Sequence, residues 1–133
     1  MTFRQSWLGA KLVRREGWHG VPTINHWCPA CGEVHGFAVD APFSNGAKWS
    51  FDGNIEAPTF APSMNITNGP FPVGSSRAGK TEVCHYFLRE GKIQYLGDCT
   101  HELAGQTVPL PDIPAEIVGR WTPIEGTKEK GNG

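Results

Sequence analysis

The sequence predicts a mainly β, antiparallel, loop-rich single domain stapled by a zinc-ribbon-like site, with one or two short helical turns. Three observations carry that prediction. Seventeen Gly and eleven Pro in 133 residues interrupt the chain too often for long helices. The run 84–99 alternates as a hairpin does. Four cysteines fall into two local pairs, Cys28 with Cys31 and Cys84 with Cys99, the arrangement a four-thiolate zinc site needs.

The elements follow in chain order. Trp7 to Val13 has short strand-like apolar stretches. Arg4, Lys11, Arg14 and Arg15 form a small basic patch there, expected to be a solvated strand edge because Lys commonly guards such edges. Ile24–Trp27 and Glu33–Val39 flank the first cysteine pair as strand, knuckle and strand. A redox reading of Trp27-Cys28-Pro29-Ala30-Cys31 needs a helix starting at the motif, and Gly32 and Gly36 in an alternating β-branched run exclude one. Lys48–Phe51 is a short strand that stops at the turn Asp52-Gly53-Asn54. Pro58 and Pro62 hold 57–63 extended, because each disfavours helix at the residue before it. Met64–Ile66 follows as a strand, and 68–80 as a Gly/Pro/Ser-rich loop.

Glu90-Gly91 is a two-residue turn that pairs Leu88 with Ile93 and Tyr86 with Tyr95. In that register Cys84, Tyr86, Leu88, Ile93, Tyr95 and Cys99 share one face, with His85 and Asp98 on the other. Thr100–Gly105 reads as one helical turn with Thr100 as N-cap, and Ala115–Val118 as a second short turn. The domain is expected to span 1–120, ahead of a polar, frayed tail over 121–133.

Composition excludes several functions. The net charge of −1 gives no pull toward nucleic acid or anionic membrane, and the acidic or neutral neighbours of Trp49, Phe51, Phe60 and Phe71 favour a core cluster over a base-stacking platform. No segment reaches the ~20 apolar residues of a membrane span. The start of the chain lacks a secretory h-region, so the expected location is cytoplasmic and the cysteines are expected to be reduced.

Two groups of side chains carry chemistry. The first is the zinc set Cys28, Cys31, Cys84 and Cys99, in which His85 or His101 could replace Cys99. The second is His85 with Asp98 and His101, which could hold a catalytic metal or form a general base oriented by a carboxylate. The structural alternative has His85 donating to a backbone carbonyl and Asp98 capping the turn at Thr100. Ser44, Ser63, Ser75 and Ser76 lack the strand–elbow–helix setting of an activated serine. His19, His26 and His35 have no acidic partner at an interpretable spacing and are expected at the surface or beside the knuckle.

The blocks Cys-Pro-Ala-Cys-Gly-Glu-Val-His-Gly-Phe (28–37), Trp-Ser-Phe-Asp-Gly-Asn-Ile-Glu-Ala-Pro-Thr-Phe-Ala-Pro-Ser (49–63) and Cys-His-Tyr-Phe-Leu-Arg-Glu-Gly-Lys-Ile-Gln-Tyr-Leu-Gly-Asp-Cys-Thr-His-Glu-Leu-Ala-Gly-Gln (84–106) resemble a family of tailed phages, prophages and bacteria. Its phage members are sometimes labelled "ammonia monooxygenase", a name these residues do not support. The resemblance covers roughly 24–111 and implies a small, phage-encoded, metal-binding domain. Similar domains accompany bacterial ubiquitin-like conjugation genes, which implies a link to protein modification or its removal. Some relatives carry Ser in place of Cys99, which shifts interest to His85, Asp98 and His101.

The leading expectation is therefore a zinc-stabilised accessory or binding module whose partner is a host or phage protein. A metal-dependent peptide or isopeptide hydrolase using His85, Asp98 and His101 is the alternative. A virion structural protein is a third reading.

Overall fold

A computed structural model describes residues 4–120 apart from 18, 19 and 77. The expected frayed tail over 121–133 and His19 lie outside the described residues. Two antiparallel sheets make up the molecule, in strand orders β1-β2-β3-β4 and β5-β6-β7-β8-β9. The first comprises β1 (Arg4–Trp7), β2 (Val13–Glu16), β3 (Thr23–Cys28) and β4 (Glu33–Ala38). The second comprises β5 (Ser50–Phe51), β6 (Phe60–Asn68), β7 (Glu82–Arg89), β8 (Lys92–Tyr95) and β9 (Thr107–Pro109), and a short helix α1 (Ala115–Arg120) follows. The mainly β, small single-domain prediction holds.

The hairpin β7–β8 pairs Tyr86 with Tyr95 and Leu88 with Ile93, as the alternation requires. Its turn places both Glu90 (φ 50°) and Gly91 (φ 74°) in the left-handed region, the geometry that matches the twist of two-residue hairpins. The inward face of this hairpin packs on the first sheet. Phe37 stacks on Phe60 with ring centroids 4.2 Å apart, and Tyr86, Leu88, Ile93 and Tyr95 are all fully buried around them.

Four local expectations are corrected. Thr100–Gly105 forms turns, not a helical turn: the Thr100 hydroxyl accepts from Val83 N–H (3.0 Å) and donates to Val83 C=O (3.4 Å), zipping the segment to β7 in place of capping. The last short turn is a one-and-a-half-turn helix, α1. Arg15 is buried (8% exposed), and Arg14 pairs with Glu16 and Asp40, so the basic patch is not a uniformly solvated edge. His26 is fully buried and His35 nearly so; neither lies at the surface.

Candidate functional site

Two constellations sit on opposite faces of β7, as strand alternation dictates for consecutive residues. The outward-facing one is built around His85. Its Cα partner across the β6–β7 ladder is Asn65, and β6 carries an irregularity between Phe60 and Met64 that re-aims the segment holding Ser63. Ser63 Oγ lies 3.2 Å from His85 Nε2. On the other side of the ring, His85 Nδ1 lies 3.0 Å from Asp98 Oδ2 and 3.2 Å from Asp98 Oδ1. Asp98 follows β8, in a turn closed by Cys99 N–H donating to Leu96 C=O. A hydroxyl, an imidazole and a carboxylate thus stand in series. In such a series the carboxylate fixes the ring tautomer, and the far nitrogen can take the hydroxyl proton.

Sequence reasoning missed Ser63. It lies on a strand and not on an elbow, and it meets His85 only through a ladder between segments 22 residues apart. The one available signal was the block 49–63, which ends on this serine. The structural alternative for His85 also fails, since both of its ring nitrogens face side chains. His101, grouped with His85 and Asp98 on sequence grounds, is elsewhere: its ring packs edge-on against Tyr95 (4.7 Å).

The inward-facing constellation is sulfur-rich. Gly32 (φ 67°) closes the knuckle by donating its N–H to Cys28 C=O (2.8 Å), which turns the two thiols toward β7. The ligand atoms of Cys28, Cys31 and Cys84 all lie within 4.8 Å of one another, and the Cys28 and Cys84 sulfurs are 3.9 Å apart. All are free thiols. Cys99 stands outside this group: its sulfur donates to His85 C=O (3.1 Å) and accepts from His85 N–H (3.2 Å). Tyr95 Oη is 3.1 Å from the Cys28 sulfur.

Three thiols this close cannot all ionise unaided. Hydrogen bonds from Cys31 and Cys84 hold the Cys28 thiol far below its usual range. The same contacts, working the other way, push Cys31 up to about 12 and Cys84 higher still. A cation between the sulfurs would remove that conflict. The tetrahedral Zn–S distance of ~2.3 Å implies sulfur–sulfur edges of about 3.8 Å, which the Cys28–Cys84 pair matches. The cluster can therefore hold a metal ion.

Beside it, Cys31, Glu33 and His35 form a second group with ligand atoms within 4.8 Å of one another. His26 is pushed down to about 4, first by burial and then by His35, and burial lowers His35 as well, so both rings are neutral. A cleft of about 610 Å³ opens beside Cys31, Cys84 and His101, at the sulfur cluster and not at Ser63.

Residues 7–96 match the model of a family described as bacterial ubiquitination-like system serine protease (BubE). The chain belongs to the BubE family. That match spans well over half of the chain and includes Ser63, His85 and the three clustered cysteines. Neither the curated proteins nor the solved structures contain a significant match. Among the described residues no helix is long and apolar enough to cross a membrane.

Proposed function

We propose that this chain is a serine peptidase of a bacterial ubiquitination-like system, with Ser63 as nucleophile, His85 as general base and then acid, and Asp98 as the carboxylate that orients it. The observation that carries the reading is the series Ser63 Oγ–His85 Nε2–His85 Nδ1–Asp98 at 3.2 and 3.0 Å, in a chain whose family is described as a serine protease. Ser63 Oγ attacks the scissile carbonyl while His85 Nε2 takes its proton. His85 then protonates the leaving group, and water hydrolyses the acyl-Ser63 ester by the same route in reverse. The substrate class is an acyl bond at the C terminus of a ubiquitin-like modifier.

This reading replaces the metal-dependent hydrolase. Both nitrogens of His85 are already engaged by Ser63 and Asp98, and His101 faces a different part of the molecule. Zinc fits the cysteine cluster, where Cys28, Cys31 and Cys84 would hold it. Its contribution there is to cross-link the two sheets, because Cys28 and Cys31 belong to the β3–β4 unit and Cys84 to β7.

The test is covalent. Wild-type protein should be labelled at Ser63 by a fluorophosphonate and should release a reporter fused to the C terminus of a bacterial ubiquitin-like modifier. Ser63→Ala should lose both, with a rate loss of at least about 10³-fold and an unchanged melting temperature. Full reporter release by Ser63→Ala would reject the assignment.

A further inference from the structure

The proposal that zinc occupies the cysteine cluster leaves the fourth ligand open, and a hydrogen-bond relay between the sheets bears on it. His26 and His35 face each other across the β3–β4 ladder, one pair along from Cys28 and Glu33. All four therefore project from the same face of the sheet, the one turned toward β7.

The relay has one consistent set of proton positions. His26 Nδ1 sits 3.1 Å from Trp27 C=O, which can only accept, so Nδ1 carries the proton of this neutral ring. His26 Nε2 is then an acceptor, and the hydroxyl of Tyr86, 2.6 Å away, must donate to it. With its proton spent, the Tyr86 oxygen accepts from His35 Nδ1 at 3.1 Å. His35 is therefore the Nδ1–H tautomer, and its Nε2 presents a bare lone pair.

That nitrogen is buried and has no hydrogen-bond partner. The atom nearest it in character is another acceptor, Glu33 Oε2 at 3.4 Å. Two acceptors facing each other in a buried position call for a cation between or beside them. The Nδ1–H···Tyr86 bond is also the kind of outer contact that metal-binding imidazoles make with their second nitrogen.

We propose that His35 Nε2 is the fourth ligand of the ion held by Cys28, Cys31 and Cys84, giving a site of three thiolates and one imidazole. The rival donors are less suited. Leu103 N–H points at His101 Nδ1 (3.2 Å), which leaves the proton on His101 Nε2, the wrong tautomer for ligation through that atom. Cys99 is committed in both directions to the backbone of His85. His85 faces Ser63 and Asp98 on the other side of the sheet.

The inference rests on the zinc reading, and cobalt(II) substitution separates the two. Metal-free wild-type protein titrated with Co²⁺ should take up one equivalent and show a tetrahedral visible spectrum. X-ray absorption of the zinc form should count three sulfurs and one nitrogen. His35→Ala should lower Co²⁺ affinity at least about 10-fold and alter the spectrum. His35→Cys should restore tetrahedral binding, with sulfur-to-cobalt charge transfer raised by about one third as three thiolates become four. His101→Ala and Cys99→Ala should keep the wild-type spectrum.

A wild-type protein that binds neither Co²⁺ nor Zn²⁺ would overturn the zinc reading and this assignment with it. Binding with four sulfurs, or a His35→Ala spectrum identical to wild type, would overturn the assignment alone. So would loss of the tetrahedral spectrum in His101→Ala or Cys99→Ala. If neither His35 variant folds, the wild-type ligand count and the two remote variants still decide.

Discussion

At the scale of single residues, Asp98 works only through His85, which makes it separable from the nucleophile. Replacing its carboxylate with an amide keeps the volume but lets the ring settle in the wrong tautomer. Asp98→Asn is therefore expected to lower kcat by about 10⁴ while leaving thermal stability within about 0.5 kcal/mol of wild type, measured on the modifier–reporter fusion. Asn65 bears on the same chemistry from the other side. It sits two residues along β6 from Ser63, on the same face and opposite His85, and Thr67 Oγ1 donates to its Oδ1 (2.9 Å). Its Nδ2 is thereby left as an amide donor on the face where the oxyanion would form. Asn65→Ala should cost about 10²-fold in kcat with little change in KM, the signature of a donor that acts mainly in the transition state. A change in KM alone would remove it from that role.

At the scale of elements, the β7–β8 hairpin was legible because everything that fixes it is local: a turn that demands positive φ, and an alternation that leaves one register for burying Tyr86, Leu88, Ile93 and Tyr95. The same logic makes Gly91 sensitive. A Cβ there would fall 2.9 Å from Ala57 Cα, and the backbone is at φ +74°. Gly91→Ala is expected to destabilise the fold by about 2–3 kcal/mol, seen as a lower urea midpoint at unchanged m-value. Ser63 was not legible for the opposite reason. The β6–β7 register contains an irregularity, so no local pattern announces which β6 residue meets His85. The relay through His26, Tyr86 and His35 was hidden likewise, since its middle member comes from the other sheet and an acid-free histidine spacing carries no sign of it. Thr100 was misread because its hydroxyl has two uses, capping or backbone zipping, and only the tertiary partner Val83 selects one. Tyr86 gathers these long-range terms in one hydroxyl: Tyr86→Phe strips partners from two buried imidazoles at once and should cost about 1–3 kcal/mol, read by thermal unfolding.

At the scale of the whole molecule, the sulfur cluster and the catalytic series are joined by one peptide bond. Cys84 points inward to thiols carried by the β3–β4 unit, and His85 points outward to Ser63 and Asp98. Without an ion, Cys28, Cys31 and Cys84 must share charge among themselves, which favours partial protonation and a looser junction between the sheets. That looseness reaches β7 directly. A shift of about 1 Å at His85 is enough to cost ~10²-fold, since proton transfer depends on a hydrogen bond now at 3.2 Å. Removal of the metal with a strong chelator is therefore expected to do two things in step. The melting temperature should fall by about 10 °C or more, as the several kcal/mol of binding energy stored at the site is lost. Reporter release should fall with the same chelator dependence, and both should return on adding Zn²⁺. Cys28→Ser should reproduce the loss without chelator and should not be rescued by Zn²⁺. Activity that survives while the melting temperature drops would show that the two faces of β7 are mechanically independent.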